Sequence, residues 1–388
     1  MDAADEVVER VRLLLPELRE RSPEGEVLRR LPDQTVADLK ATGIGRMLQP
    51  KRYGGLEAHP RQFFEAVLAI AGTCGSAGWV SSVVGVHPWQ AAHWPDQVQE
   101  EIWADDPDTW ISSSYMPGGT LVPCDGGYRL SGRWSFSSGS DHCQWVILGT
   151  SVDRGDGAPP EPRNTLLRRG EYVIEDVWDT VGLRGTGSND IVVDDVFVPE
   201  YRTLDLIQMF LWRSPGLATN TAPLYRMPFA TLFSYAITGP IIGMAEGMLA
   251  EDIELTKKRV SKQWGKAVED PYTVAAIGTA ACEIDACRLQ LFRNLDEMMA
   301  TVEGGGRITM DQRARARRDQ VLGTQRAVAA LDDLFDRAGA AAISARNPMQ
   351  RIWRDAHAAK HHTINTLEKS LFSYAKVAMG LDPSDLMV

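Results

Sequence analysis

The stretch SGRWSFSSGSDHCQW, residues 131–145, changes character halfway along its length. Its first half alternates aromatic with small polar residues, as a half-buried strand does, and its second half is rich in serine and glycine. In the register of a strand, Ser138 shares a face with Trp134 and Phe136. A hydroxyl beside two aromatic rings predicts the floor of a site for a flat ligand with polar edges, such as a flavin.

Further strand patterns surround this stretch. The segment GGYRLSGRWSF alternates after an Asp-Gly-Gly turn, and CQWVILGT is a short apolar run. The β-branched segments EYVIEDVW and IVVDDVFVP flank the glycine-rich GLRGTGSND. Residues 111–205 are therefore expected to form a middle β-domain, a barrel or a sandwich.

Helical periodicity occupies both ends of the chain. Residues 5–20 repeat apolar positions at helical spacing, and residues 61–104 are rich enough in small and apolar residues to predict a buried helix or helix pair. Beyond residue 231, long amphipathic segments predict a bundle. We expect an N-terminal α-helical domain over 1–110 and a C-terminal helical bundle over 206–388.

Charge and composition limit the class of function. The formal net charge of −11 would repel a phosphate backbone, so nucleic acid is not expected as a partner. No run approaches the roughly 20 apolar residues of a membrane helix, and the N-terminus lacks a secretory pattern. The five cysteines form no Cys-x-x-Cys pair, which is typical of free thiols in a reducing compartment. A cytoplasmic protein without a membrane partner is expected.

Histidines and arginines offer few sites by themselves. His357 and His361 lie one helical turn apart, but no third ligand is near, so no metal is expected. His142 follows an aspartate and is interpreted as a hydrogen-bonded structural residue. The basic run RARARR, residues 313–318, is interpreted as a solvated helix face, with a phosphate or subunit contact as the alternative.

The glycine-rich residues 182–188, GLRGTGS, are open to two interpretations. They open no predicted helix, so they are not a dinucleotide-binding fingerprint. The following residues also lack the second glycine of the Gly-x-Ser-x-Gly motif of hydrolases. Glycines suit a structural hairpin and a ligand loop with exposed amides equally well, and the pattern does not distinguish them.

Seven segments, taken in order, resemble the acyl-CoA dehydrogenase fold and, within it, the group D flavin-dependent monooxygenases. They are WVSSVVGVHPW, ISSSYMPGG, GRWSFSSGSDHCQWVILG, DVWDTVGLRGTGSNDIVVDDVFVP, GLATNTAPLYRMP, RARARRDQV and RIWRDAHAAKHH. The resemblance covers nearly the whole chain. It implies a mainly α-helical protein with a central β-domain and a C-terminal four-helix bundle.

The resemblance implies the oxygenase component of a two-component monooxygenase. Such a protein takes reduced FMN or FAD from a separate NAD(P)H-dependent reductase, forms a flavin C4a-hydroperoxide with O2, and hydroxylates a bulky phenol ortho to its hydroxyl. The implied substrate is a phenolic seco-steroid, and the implied assembly is a homotetramer. The lack of a nicotinamide fingerprint in the chain agrees with a separate reductase.

Other functions are open on the same fold. They include hydroxylases of polyketide pigments, N-oxygenases of amino sugars, acyl-CoA dehydrogenases that keep their flavin, and a catalytically silent binding module. The resemblance favours oxygenation, because dehydrogenases of this fold use a glutamate base whereas the hydroxylases carry a C-terminal histidine. His362 lies at the matching place in DAHAAKHHTIN.

The resemblance also implies which residues hold the flavin. Ser138 would hydrogen-bond the flavin near N5, with Trp134 and Phe136 packed around the ring. The residues implied to hold the flavin edge are Arg184, Gly185, Thr186, Gly187 and Ser188. Arg259 would reach the flavin phosphate in a neighbouring subunit, because a charged fork suits that contact.

Three further residues are implied at the substrate. His362 would be the base that ionises the phenol, since histidine titrates near the pH at which a base is most effective. His87 would contact the phenol, although burial as a core residue explains a histidine there equally well. Tyr115 would line the pocket.

Overall fold

The computed structural model describes residues 2–154, 159–261 and 265–388. Within these ranges the α-helices are α1 (Ala3–Leu28), α2 (Asp33–Thr42), α3 (Pro60–Thr73), α4 (Gly75–Ala91), α5 (Asp96–Trp103), α6 (Leu206–Phe210), α7 (Phe229–Lys258), α8 (Pro271–Glu303), α9 (Met310–Ala338), α10 (Pro348–Lys360) and α11 (Leu367–Ala378). The strands are β1 (Ile111–Cys124), β2 (Gly127–Ser137), β3 (Trp145–Val152), β4 (Glu161–Arg168), β5 (Val173–Glu175), β6 (Asn189–Pro199), β7 (Thr203–Asp205), β8 (Val260–Ser261) and β9 (Gly265–Lys266). The expected combination of many helices with a central β-region is confirmed.

Seven strands form one mixed sheet in the order β5-β6-β2-β1-β3-β4-β7, and β8 pairs separately with β9. Strand β1 is antiparallel to β2 and parallel to β3. The pairing of β2 with β6 shifts register between Trp134 and Ser137. Such a bulge bends a strand and re-aims its side chains. The strand expected over EYVIEDVW is shorter than predicted, since it is confined to β5.

The helices pack around α7, which lies against α3, α4, α8, α9 and α10. Glycines allow the close approach of α7 to α3. A Cβ atom added at Gly247 would lie 2.2 Å from the carbonyl oxygen of Gly72, and one at Gly243 would lie 2.5 Å from the Leu68 carbonyl oxygen. Nearly every residue of α4 is buried, as its lack of a polar face predicts.

Among the described residues, α7 is the one helix long and apolar enough to cross a membrane. The sequence-based expectation overlooked this segment. In the structure 83% of its most apolar stretch is buried inside the protein, because other helices cover it. Burial of this kind is typical of a core helix in a large fold.

Candidate active site

The backbone turns sharply where β2 ends. Phe136 has φ +67°, in the left-handed region that bulky residues rarely adopt. The predicted common face of Trp134, Phe136 and Ser138 is therefore wrong. Trp134 is 2% exposed in the core of the sheet, where its Nε1 donates to the Gly149 carbonyl at 2.7 Å. Phe136 is 71% exposed on the outside, with its ring edge-on to that of Trp178.

Three hydroxyl groups form a chain beside this turn. The Oγ of Ser138 lies 2.7 Å from the Oγ of Ser188, which lies 2.7 Å from the Oγ1 of Thr186. Thr186 donates in turn to the Leu183 carbonyl at 2.9 Å. The indole Nε1 of Trp79 donates to Ser138 at 3.0 Å. The sequence-predicted residues Ser138, Thr186 and Ser188 are thus brought together.

The end of this chain determines the direction of every hydroxyl proton. A carbonyl oxygen only accepts, so the proton of Thr186 is committed to Leu183. Ser188 must then donate to Thr186, and Ser138 must donate to Ser188. Ser138 also accepts from Trp79, and its remaining capacity is one lone pair. The hydroxyl of Ser138 is therefore an acceptor toward any ligand that reaches it.

The loop before β6 is closely packed. A Cβ atom added at Gly182 would lie 2.0 Å from the Arg354 carbonyl oxygen, and Gly187 has φ +52°. The backbone N–H of Leu183 donates to Oδ1 of Asp355 at 2.6 Å. Close packing explains the glycines, as the structural interpretation predicts. The same loop also carries the hydroxyl chain, so its interpretation as a ligand loop is kept beside the structural one.

The two arginines implied to hold flavin make other contacts in this single chain. Arg184 donates to Oδ1 of Asp179 at 2.8 Å and to the Thr180 carbonyl at 2.7 Å, so its guanidinium is engaged within its own loop. Arg259 follows the end of α7 and donates to the Arg337 carbonyl at 3.0 Å. Gly185 packs against α4, where an added Cβ would lie 3.1 Å from the Cβ of Ser76. The contact of Arg259 with a neighbouring subunit stays a prediction.

His362 lies at the end of α10, where it caps the short turn Thr363–Asn365. The backbone N–H of Ile364 donates to its Nδ1 at 3.2 Å. Its ring centroid lies 6.1 Å from that of Trp79, the residue that also donates to Ser138. His362 is exposed to solvent, yet enough protein surrounds its imidazole for desolvation to lower its pKa to about 4. Trp79 therefore connects His362 with the hydroxyl chain.

His87 and Tyr115 form a second, deeper group. The Nδ1 of His87 lies 2.5 Å from the Ile111 carbonyl oxygen, so Nδ1 carries the ring proton and Nε2 is an acceptor. Burial lowers the pKa of His87 to about 4. Tyr115 donates to Oε1 of Gln90 at 2.6 Å, and its ring centroid lies 5.5 Å from that of Phe233, which also contacts His87.

Several other expectations about charged residues are tested by the structure. Nδ1 of His142 lies 3.9 Å from Oδ1 of Asp33, and burial lowers the pKa of His142. Its Nε2 is buried without a hydrogen-bond partner among the described residues, so its interpretation as a hydrogen-bonded structural residue stays a prediction. No group of three potential metal ligands occurs in the described ranges, and His357 instead contacts Asp332 at 2.7 Å. The interpretation of the basic run, residues 313–318, as a solvated helix face is wrong, because Arg317 within it is only 5% exposed.

Sequence reasoning missed Trp79 and Phe233. Trp79 lies on α4 and Phe233 lies in the apolar first half of α7, where an aromatic residue is expected to be a core residue. Trp79 lies within the quoted segment WVSSVVGVHPW, but the direction of its indole N–H depends on contact with Ser138, 59 residues away in the sequence. No local pattern specifies such a contact.

Comparison with known proteins identifies the family. Residues 235–366 match the family described as Acyl-CoA dehydrogenase, C-terminal domain. Over 99% of its length the chain is 46% identical to the flavin-dependent monooxygenase, oxygenase subunit HsaA, of Mycobacterium tuberculosis, and it covers 98% of that protein. The chain belongs to the flavin-dependent monooxygenases of the acyl-CoA dehydrogenase fold. It is an oxygenase component of that family, and the resemblance found in the sequence is confirmed.

Solved structures support the same assignment. The crystal structure of 3-HSA hydroxylase from Rhodococcus sp. RHA1 has a TM-score of 0.96 and 45% identity, with 100% of both chains covered. XiaF from Streptomyces sp., solved with FADH2 and glycerol, has a TM-score of 0.92 and 30% identity, with 98% of this chain and 97% of that chain covered. Flavin-dependent monooxygenation is thus favoured over acyl-CoA dehydrogenation. A separate component supplies reduced flavin to oxygenase subunits of this kind.

Proposed function

We propose that this monooxygenase takes up reduced FMN or FAD beside Ser138 and, with O2, hydroxylates a bulky phenol ortho to its hydroxyl. A phenolic seco-steroid is the proposed substrate class. The relatives named 3-HSA hydroxylase and resorcinol hydroxylase support a phenol. The observation that carries the proposal is the contact of Trp79 with both Ser138 and His362, which joins the flavin residue to the phenol base.

The hydroxyl chain fits a reduced flavin. Reduced flavin carries a proton on N5 and so offers an N–H donor there, whereas N5 of oxidised flavin is an acceptor. The free capacity of Ser138 is an acceptor lone pair, because its own proton is donated to Ser188. The ring of Phe136, which is exposed and perpendicular to the ring of Trp178, provides apolar surface at the turn that precedes Ser138.

The chemistry divides between the flavin and the protein. Bound reduced flavin supplies the electrons and activates O2. His362 accepts the proton of the phenol hydroxyl in this proposal, which makes the ring more electron-rich. Its pKa of about 4 keeps the imidazole neutral at pH 7, but it also makes His362 a weaker base than the value near neutrality on which the sequence-based prediction rested. The buried aromatic residues around His87 and Tyr115 hold the phenol and exclude water.

His362 has to change tautomer to act as this base. In the neutral ring, the hydrogen bond from Ile364 to Nδ1 places the proton on Nε2. Nε2 becomes an acceptor when the proton moves to Nδ1 and the bond from Ile364 is lost. That bond is long at 3.2 Å, so its loss is a small cost.

The test of the proposed function is anaerobic. Purified protein is mixed with chemically reduced FMN or FAD, oxygenated buffer is added in a stopped-flow instrument, and the flavin spectrum is followed. A long-lived spectrum distinct from reduced and oxidised flavin supports an oxygenase, and phenols are then screened for catechol products. Immediate return to oxidised flavin with free peroxide, with and without phenols, would overturn the proposal.

The assembly and surroundings of the enzyme are part of the same proposal. We infer a homotetramer in which Arg259 contacts the flavin phosphate of a neighbouring subunit, a cytoplasmic location, and a separate NAD(P)H-dependent reductase. Light scattering after size exclusion tests the subunit number. An Arg259→Gln variant with unchanged affinity for reduced FMN would contradict the role of Arg259.

A further inference from the structure

Asp355 is a buried carboxyl group that lies between three parts of the candidate site. It is 2% exposed on α10, and its Oδ1 accepts from the backbone N–H of Leu183, in the loop before β6, at 2.6 Å. A Cβ atom added at Gly75, the first residue of α4, would lie 2.7 Å from its Oδ2. His362 lies seven residues further on, just past the end of α10. The proposed chemistry does not use this carboxyl.

Leu183 has a backbone conformation that needs support. Its φ is +52°, in the left-handed region that a bulky residue rarely adopts. Such a residue is strained and keeps its conformation only where surrounding contacts hold it. Its carbonyl accepts from Nε1 of Trp178 at 2.8 Å and from Oγ1 of Thr186 at 2.9 Å. Asp355 holds the other side of the residue, because it accepts from the N–H.

The carbonyl of Leu183 sets the direction of the hydroxyl chain. Thr186 donates its proton to this carbonyl, so Ser188 donates to Thr186 and Ser138 donates to Ser188. If Leu183 left the left-handed region, its carbonyl would turn and the proton of Thr186 would lose its acceptor. The hydroxyls could then reverse, and Ser138 could present a donor as well as an acceptor to a ligand. The support of Leu183 is thus a support of the acceptor at Ser138.

A second route joins this carboxyl to the partners of Ser138. Trp79, which donates to Ser138 at 3.0 Å, lies four residues after Gly75 on α4, about one helical turn away. Arg354, the preceding residue of α10, donates to the carbonyl of Val181 in the same loop at 2.7 Å. The loop, the start of α4 and α10 therefore meet at one buried position.

We propose that Asp355 is a positioning residue of the flavin site. By holding Leu183 it keeps the hydroxyl chain in one direction, and this direction gives the enzyme a preference for reduced over oxidised flavin. The proposal rests on the proposed function, because it concerns the flavin that Ser138 is proposed to bind. Asparagine can take this role, since its Oδ1 also accepts from an N–H. Alanine has no acceptor, and the hydroxyl of serine lies closer to its own backbone.

The experiment measures the affinities for reduced and oxidised FMN by anaerobic equilibrium titration at pH 6. Burial raises the pKa of Asp355 to about 7, so at pH 6 the carboxyl is mostly protonated and Asp355→Asn matches its charge. Asp355→Ala and Asp355→Ser remove the acceptor, and Thr186→Val removes the hydroxyl that donates to Leu183. Asp336→Ala, an exposed position on α9, is the matched control. Thermal melting at pH 6 checks that each variant is folded.

The measured quantity is the ratio of the dissociation constant for oxidised FMN to that for reduced FMN. We expect this ratio to fall about 5–10-fold in Asp355→Ala or Asp355→Ser and to stay within about twofold of wild type in Asp355→Asn. In the double variant with Asp355→Ala and Thr186→Val, the ratio should fall no further than in either single variant, because both changes act through one chain. A residue that only stabilises the fold would lower both affinities equally and leave the ratio unchanged.

Three results would overturn the proposal: an unchanged ratio in folded Asp355→Ala or Asp355→Ser, a reduced ratio in Asp355→Asn, and additive losses in the double variant. If neither shortened variant folds at pH 6, Asp355 serves the fold as a whole and the proposal fails as well. Ser138→Ala separates these results from the proposed function. A ratio that falls in Ser138→Ala but not in the Asp355 variants refutes only the role of Asp355, whereas a wild-type enzyme without a preference contradicts the flavin site proposed at Ser138.

Discussion

The backbone N–H of Ile364 donates to Nδ1 of His362, and the carbonyl of the same Ile364 accepts from Arg317 at 2.7 Å. Arg317 also donates to Oδ2 of Asp385 at 3.0 Å, and both charged side chains are nearly inaccessible to solvent. The C-terminal tail is therefore connected to the proposed base through one buried ion pair. The ion pair therefore anchors the backbone of the three-residue turn that follows His362, and this anchor does not depend on the hydrogen bond to the imidazole.

Removal of the charge of Asp385 tests this connection. Asp385→Asn leaves Arg317 buried without its partner, so we expect the free energy of unfolding to fall by about 3 kcal/mol or more. Asp382→Asn, which changes an exposed aspartate nearby, should stay within about 0.5 kcal/mol of wild type. Urea titration measures both. Equal stability of the two variants would show that the ion pair does not hold the tail.

The role of His362 is tested by comparing Ala with Gln at this position. A glutamine side chain can donate a hydrogen bond but cannot take up the proton of a phenol. If His362 is a base, both variants should still oxygenate reduced flavin but hydroxylate phenol roughly 10²–10⁴-fold more slowly. His361→Ala, one residue away and exposed, is the control. Near wild-type hydroxylation by His362→Gln would instead identify His362 as a hydrogen-bond donor.

The layers of the fold could be predicted from the sequence because they follow local patterns. Helical spacing in α1 and α9 and alternation in β2 and β6 each arise from neighbouring residues. The order of the strands could not be predicted in this way. Strand β1 is parallel to β3 and antiparallel to β2, and that pairing depends on contacts between distant parts of the chain.

The candidate site was predictable in its residue types and not in its geometry. Ser138, Ser188 and Thr186 were named from the sequence, and the structure brings them together. The error over Trp134 and Phe136 came from extending strand alternation through Ser137, where the positive φ of Phe136 ends it. A tertiary bulge overrides local alternation, so no reading of the stretch by itself could have placed the two rings on opposite sides.

The direction of the hydroxyl chain makes a prediction about flavin binding. In Thr186→Val the hydroxyl that donates to Leu183 is lost, so Ser188 no longer has to donate toward residue 186. The hydrogen bond between Ser188 and Ser138 can then reverse, and Ser138 can present a donor as well as an acceptor to a ligand. We expect the preference for reduced over oxidised FMN to fall by about 5–10-fold, and Ser138→Ala to lose a similar amount. Anaerobic equilibrium titration with both redox states measures this preference. Thr279→Val, on an exposed face of α8, is the control and should leave the preference for reduced FMN unchanged. An unchanged preference in Thr186→Val would refute the fixed direction of the hydroxyl chain.

Asp355 makes stability depend on pH, because burial raises its pKa to about 7. The folded protein therefore holds a proton on Asp355 that the unfolded chain loses near pH 4, so the contribution of this residue to stability falls as the pH rises from about 4 to 7. Asp355→Asn keeps an oxygen that accepts from Leu183 and cannot ionise. At pH 8 we expect this variant to be more stable than wild type by up to about 4 kcal/mol, with a much smaller difference at pH 5. Urea titrations at both pH values measure the free energies of unfolding, with Asp336→Asn, which removes an exposed charge, as the control. If the difference in this free energy between Asp355→Asn and wild type does not grow with pH, the raised pKa of Asp355 is contradicted.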